Sequence, residues 1–180
     1  ARRVVVVSAP GKRHAADHKV TDLLYLCHAH LTYGVSCAEI LAAIRSRFVS
    51  IRDELGLSYR VEDEFDAYAA TLSRDTSVDE LVSRGEYFTA RLMAETLGYA
   101  FVDAADCVFF GFDGQFDRDR TDAAIAAALE KNGKIVLPGF YGRVPTGKIK
   151  VMTRGGSDIT GALAAAAVNA DVYENWTDVS

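Results

Sequence analysis

Thr153-Arg-Gly-Gly-Ser-Asp-Ile-Thr-Gly-Ala-Leu-Ala-Ala-Ala-Ala167 is the stretch around which this 180-residue chain is organised. Residues 147–152, just before it, read as a strand that feeds into a turn. Gly155 and Gly156 let the backbone bend tightly and come close to a ligand. Ser157 or Asp158 is a good N-cap for the apolar helix expected over residues 159–168. A helix N-terminus offers unpaired N–H groups and the positive end of a dipole, so it attracts anions. Arg154 adds a planar donor fork suited to carboxylate or phosphate. The same residues also fit an arginine in a surface turn before a capped core helix.

Outward from this stretch the chain alternates short apolar strands with helices. Residues 3–7 form a β-branched run expected of a strand buried on both faces, ended by Ser8. Leu23, Leu24, Cys27 and Leu31 recur at helical spacing from Val20 to a stop at Gly34. Further helices are expected over residues 38–55, 62–72, 83–97 and 121–130. Strand-like pieces are expected at 100–102, 108–110, 135–137 and 172–176. This order predicts an α/β sandwich around a mostly parallel sheet, in one domain over residues 1–180. The chain opens in a strand and stops just after another, so it reads as incomplete at both ends. An apolar content of 49% with 25% charge is ordinary for a globular domain. A net charge of −5 argues against nonspecific nucleic-acid binding. Cys27, Cys37 and Cys107 form no CxxC pair and suit reduced thiols of a cytoplasmic protein. No apolar run is long enough to span a membrane.

Several patterns invite sharper readings. Gly142-Arg-Val-Pro-Thr-Gly147-Lys148 matches seven positions of a phosphate-binding loop, but Ile149 stands where a magnesium-holding hydroxyl is needed. An alternating strand pattern follows Lys148, so residues 142–147 read as a hairpin turn. Cys27 and His30 could share a helix face, yet no closing metal ligands are evident and Cys27 belongs to the apolar stripe. Residues 113–122 lack calcium-loop spacing and read as a solvated loop with an N-cap. Ser83-Arg-Gly-Glu86 has the form of a capping box, with Ser83 as cap. Capping leaves Gly85 unexplained in a first turn, where glycine costs about 1 kcal/mol against alanine. Close approach of a ligand would explain it. Thr21 fits equally a cap for a helix beginning at Asp22, and Ser8 a simple turn residue.

The Arg154-Gly-Gly-Ser-Asp158 string resembles the signature of aspartate kinases. Pro138-Gly-Phe-Tyr-Gly142 is similar to that family's Gly-Phe-x-Gly loop, and Trp176-Thr-Asp-Val179 to its Trp-Thr-Asp-Val. Val5-Val-Val-Ser8, Lys19-Val-Thr-Asp-Leu-Leu24 and Ser83-Arg-Gly-Glu86 follow the family's order, so the resemblance covers nearly the whole chain. It implies the amino-acid kinase fold, a three-layer α/β/α sandwich with a mostly parallel central sheet. It also implies ATP-dependent phosphorylation of the L-aspartate side chain, the first step towards lysine, threonine and methionine.

By that resemblance Arg154 grips the substrate α-carboxylate and Glu86 its amino group. Ser8, Thr21, Phe140, Gly156 and Ser157 line the substrate pocket. Asp158 orients the catalytic lysines, and Thr177 and Asp178 contact the nucleotide. Mg²⁺ bridges the ATP phosphates with few protein ligands, so no metal-binding residue is assigned. A cytoplasmic homo-oligomer, with no nucleic-acid or membrane partner, is the implied state of the intact protein. The family's opening Lys-Phe-Gly-Gly loop, the segment beyond Trp-Thr-Asp-Val and the regulatory domains are absent, so this stretch alone is expected to be inactive. Met152-Thr153 stands where many members carry Leu-Gly. Another amino-acid kinase, acting on glutamate or N-acetylglutamate, and a non-catalytic amino-acid-binding module are the alternatives.

Overall fold

The computed structural model describes residues 3–153 and 155–177. Strand β1 (Val4–Val7) pairs in parallel with β3 (Ile135–Pro138), which pairs in parallel with β2 (Ala100–Phe101). All four residues of the central strand β3 are buried, as its unbroken apolar run requires. The pleat then sorts side chains by parity. Val5, Val7, Val136 and Phe101 meet Ala90, Met93 and Ala94 of helix α4 (Val78–Leu97). Val4, Val6, Ile135 and Leu137 face Ile125 and Leu129 of α6 (Arg118–Asn132) and Leu163 and Ala164 of α7 (Gly156–Ala167). The result is the expected three-layer α/β/α sandwich.

On the α4 side the helical layer is two deep. Helices α1 (Val20–Tyr33), α2 (Ala38–Glu54) and α3 (Val61–Ala69) bury Leu24, Ile44, Phe48 and Phe65 against Leu81 and Phe88 of α4. Phe88 anchors this layer, with ring centroids of Phe48, Phe65 and Tyr87 at 5.5, 5.4 and 5.2 Å. Such tilted aromatic contacts add to the area buried. Helix α5 (Ala104–Cys107) and an antiparallel pair, β4 (Tyr141–Arg143) with β5 (Ile149–Val151), complete the described elements. No helix among the described residues is long and apolar enough to cross a membrane.

Several sequence expectations need correction. Ser83 does not cap α4. It lies inside the helix, buried, donating its hydroxyl to the Glu80 carbonyl at 2.7 Å. The cap is Ser77, whose Oγ accepts from Glu80 N–H at 3.2 Å, because Val78, Leu81 and Val82 extend the buried stripe upstream. Thr21 is likewise in the first turn of α1, with Lys19 at the N-cap position. Helix α7 begins at Gly156 behind Gly155, with neither Ser157 nor Asp158 as its cap. Residues 108–110 make only isolated bridges, and residues 104–107 add a short helix. Residues 172–177 are exposed and not a strand, since no described strand lies alongside to supply ladder partners.

The phosphate-loop lookalike is the connection of the β4–β5 hairpin. Val144 N–H donates to the Lys148 carbonyl at 3.0 Å, and Gly147 N–H to the Val144 carbonyl at 2.9 Å. A strand, not a helix, follows Lys148. Cys27 is buried in the core, and His28 and His30 bond the Thr76 and Ser36 carbonyl oxygens at 3.2 and 2.8 Å. Asp117 caps α6 by accepting from Arg120 N–H at 3.2 Å.

The position of the α4 cap has a measurable consequence. Ser77→Ala leaves an orphan N–H at the start of the longest helix and is expected to cost about 1 kcal/mol. Thermal unfolding should show a melting temperature lower by about 2–4 °C. An unchanged midpoint would mean that Ser77 is not a working cap.

Candidate active site

Strands β1 and β3 end level with one another. Val7 pairs with Pro138, and Gly139 N–H donates to the Val7 carbonyl at 2.9 Å. Their carboxyl ends therefore open on the same edge, where parallel sheets collect ligands. Three segments meet there: Ser8 and Ala9 after β1, Gly139 and Phe140 after β3, and the start of α7. Helix α4 adds Glu86.

The join between β3 and α7 admits only small residues. A Cβ on Gly139 would lie 2.6 Å from Ser157 Oγ, and one on Gly156 would lie 2.8 Å from Phe140 Cδ2 and Met152 Cβ. Phe140 has φ 75°, a conformation non-glycine residues hold only when their surroundings impose it. Its N–H donates to Thr160 Oγ1 at 3.1 Å and its carbonyl accepts from Met152 N–H at 2.7 Å. Thr160, fully buried, donates in turn to the Gly156 carbonyl at 3.0 Å. Phe140 is thereby fixed against the first turn of α7. No side chain caps that turn among the described residues, so its N–H groups are available to an anion.

Glu86 is 4% exposed. Oε1 accepts from Ala9 N–H at 3.2 Å, while Oε2 is buried with no partner among the described residues. Burial pushes the carboxyl pKa up to about 7, opposed by the bonds from the Ala9 and Glu86 N–H groups. An unpartnered buried carboxylate oxygen disfavours the fold and suits a group awaiting a cation. Gly85 makes this burial possible by packing rather than by ligand approach. A Cβ there would sit 2.8 Å from Ala9 Cβ and 3.3 Å from Leu24 Cδ1, so the β1 loop and α1 close directly on α4.

Ser8 is exposed at the same edge. Thr21 follows Val20, whose N–H donates to the Pro10 carbonyl at 3.3 Å and whose Cγ1 lies 3.6 Å from the Gly85 Cβ position. Asp158 is exposed, and its Oδ1 accepts from Asn175 Nδ2 at 3.2 Å. Tyr173 OH donates to the Asp158 carbonyl at 3.4 Å, so the C-terminal segment crosses the start of α7. Thr177, exposed, stands two residues beyond Asn175. Arg154 and Asp178 lie outside the described residues. Ala9, Thr160 and Asn175 shape this edge without having been given a site role from the sequence, and Gly139 entered only as part of the Gly-Phe-x-Gly motif. Thr160, four residues after Gly156 in an otherwise apolar helix face, carried the one visible signal.

The profile of the amino acid kinase family matches residues 1–180. Aspartokinase 3 of Bacillus subtilis is 34% identical over an alignment spanning 99% of this chain and 42% of that protein. The crystal structure of Clostridium acetobutylicum aspartate kinase superposes with a TM-score of 0.95 at 40% identity, over 99% of this chain and 41% of its own. Escherichia coli aspartokinase III, solved in complex with aspartate and ADP, gives a TM-score of 0.69 at 27% identity over 93% of this chain and 40% of its own. The chain thus spans about two fifths of the length of these relatives. With the profile matched from end to end, the chain belongs to the amino acid kinase family.

Proposed function

We propose that this chain carries the substrate-binding part of an aspartate kinase, transferring the γ-phosphoryl group of ATP to the side-chain carboxylate of L-aspartate. The observation that carries the proposal is Glu86, a buried carboxylate with one unpartnered oxygen at the edge where β1, β3 and α7 converge. An α-ammonium is the complementary charge for it. Arg154 takes the α-carboxylate, which leaves the side-chain carboxylate to face the nucleotide. That a similar aspartokinase, that of Escherichia coli, has been solved with aspartate and ADP supports the assignment.

The acceptor is already ionised at neutral pH, so no protein base is needed. One of its oxygens forms a bond to the γ-phosphorus while the bond from that phosphorus to the β–γ bridging oxygen breaks, giving 4-phospho-L-aspartate and ADP. The protein's part is positioning and charge neutralisation. Ser8, Thr21, Phe140, Gly156 and Ser157 shape the pocket, and the N-terminus of α7, without a side-chain cap among the described residues, favours an anion. Thr177 and Asp178 contact the nucleotide, and Asp158 orients lysines that act on the phosphates. Mg²⁺ would accompany ATP and neutralise phosphate charge, with no residue of this chain assigned as its ligand. In the same proposal the intact protein is a cytoplasmic homo-oligomer feeding lysine, threonine and methionine synthesis.

Hydroxylamine trapping of the acyl phosphate, with aspartate, glutamate and N-acetylglutamate offered in turn to the intact protein, tests the proposal directly. Hydroxamate should form with aspartate. Formation only with another acid would select a different amino-acid kinase, and none at all a binding module.

The raised Glu86 pKa gives a pH signature. An ammonium binds the ionised form, so below pH about 7 binding must expel a proton. Aspartate affinity should therefore weaken by up to about tenfold for each unit below 7 and level off above it. Without ligand the sign reverses. Protonation favours the buried carboxyl, so this contribution to stability is present below the ordinary glutamate value and lost as pH rises through about 7. Glu86→Gln should flatten both profiles and weaken aspartate binding, as calorimetry and thermal melts across pH would show. A wild-type affinity independent of pH between 5 and 7 would remove Glu86 from the ammonium site.

Arg154→Lys keeps the charge but loses the fork. The aspartate dissociation constant should rise by about 10- to 150-fold while nucleotide binding stays level. A lower melting temperature with unchanged aspartate affinity would instead make Arg154 a brace for the turn.

A further inference from the structure

Helix α2 buries one charged side chain. Arg47 is 6% exposed and lies between Ile44 and Phe48, which are both buried in the helical core. Its hydrogen bonds all go to one segment, the loop between β1 and α1. Nη1 donates to the Gly11 carbonyl at 2.7 Å, and Nη2 donates to Asp17 Oδ2 and, at 3.5 Å, to the His18 carbonyl. Nε is buried and has no partner among the described residues. As a device for stability this is poor, because a buried ion pair with an orphan donor is often no better than an apolar pair of equal size. Its value lies in what it holds.

The loop has little else to fix it. Residues 11–16 are exposed. Asp17 gathers the segment by accepting from Arg13 N–H at 2.9 Å, Arg13 Nε at 3.0 Å and His18 N–H at 3.0 Å. The Arg13 backbone and side-chain bonds, with help from His18 N–H and Arg47, hold its carboxyl far below the usual range, so it stays an anion at any working pH. At the inner end three consecutive residues are gripped. Ala9 N–H is taken by Glu86, the Pro10 carbonyl by Val20 N–H, and the Gly11 carbonyl by Arg47. Of these three grips, only the last comes from outside the elements that line the candidate site.

We propose that Arg47 is a positioning residue, clamping the β1–α1 loop through Gly11 and Asp17 so that Ala9 N–H stays on Glu86 and leaves Oε2 as the free oxygen. Releasing Gly11 frees the segment to lift from α4 and lets Glu86 turn. The consequence for substrate rests on the ammonium-binding role proposed for Glu86, whereas the clamp itself does not.

Two variants of the intact protein test it. Arg47→Lys keeps a cation beside Asp17 but cannot bond Gly11 and Asp17 as a fork. Arg47→Met paired with Asp17→Asn removes both charges and fills the same space. In ligand-free protein, amide hydrogen exchange at Ala9 and Val20 should quicken at least tenfold in both, while the amides of α2 and α4 exchange as in wild type. The Glu86 carboxyl, followed by carbon-detected NMR, should titrate below its wild-type midpoint, because lifting the loop admits water and relieves the burial that raises it, which outweighs loss of the Ala9 bond. Tyr25 on α1, which feels both Glu86 and Asp79, is the neighbouring titrating group to be assigned alongside it. Aspartate affinity should fall about tenfold, with nucleotide affinity unchanged. Wild-type loop exchange and a wild-type Glu86 midpoint in both variants overturn the clamp, even if both melt at lower temperature. A loosened loop with full aspartate affinity overturns the positioning role. If wild-type protein does not bind aspartate, the proposed function fails, and exchange and the Glu86 midpoint alone decide the clamp.

Discussion

The parallel pairing of Val4–Val7 with Ile135–Pro138 sets the geometry on which the rest depends. Because the two strands end at Val7 and Pro138 in register, the chain leaves the sheet twice at the same level and on the same side. Everything needed for a ligand edge follows from that coincidence. Ser8 and Ala9 emerge next to Gly139 and Phe140, and the Gly139 N–H is spent on the Val7 carbonyl. The sheet is narrow, but its middle strand is covered on both faces, so the register cannot slip without exposing Ile135 or Leu137.

Close approach is the second constraint, and it is met by removing side chains. Gly139 and Gly156 let the end of β3 touch the start of α7, while Gly85 lets the β1 loop and α1 lie on α4. A methyl group at any of these positions would push apart elements that form the edge. The same contacts impose a left-handed backbone on Phe140, locked through Thr160. Strain of that kind persists where the surroundings over-determine it, which is the condition at a junction of three elements.

Desolvation supplies the chemistry. Glu86 is an ordinary glutamate on a long helix until the β1 loop closes over it. Once closed, one oxygen has a backbone partner and the other has none among the described residues, and burial raises the pKa of the group towards neutrality. Arg47 contributes from a different helix by keeping that loop down. The candidate edge is thus a product of elements that are far apart in the chain, α2, α4 and β1, brought together by the helical core around Phe88.

Much of this was legible in the amino-acid order because it is encoded over short distances. A β-branched run, an apolar stripe ended by Gly34 or Gly98 and a glycine turn before an alanine-rich helix act within one or two turns of chain, so they announce β1, α1, α4 and α7 locally. The phosphate-loop lookalike could be dismissed the same way, from Ile149 and the alternation after it. Helix starts were less legible. Ser77 and Ser83 offer the same cap spacing, and only the burial of Val78, Leu81 and Val82 against other helices decides between them. The segment around Val172 looks like a strand because β-propensity is local, but a strand exists only with a partner, and none lies beside it among the described residues. The sequence by itself determined the kind of fold, the family motifs and which residue types gather near α7. Tertiary structure alone decided why Gly85 is a glycine, which oxygen of Glu86 is free and what Arg47 holds. Those facts depend on pairs such as Ala9 with Glu86 and Gly11 with Arg47, whose partners come from distant parts of the chain, and no local pattern records a distance that only folding creates.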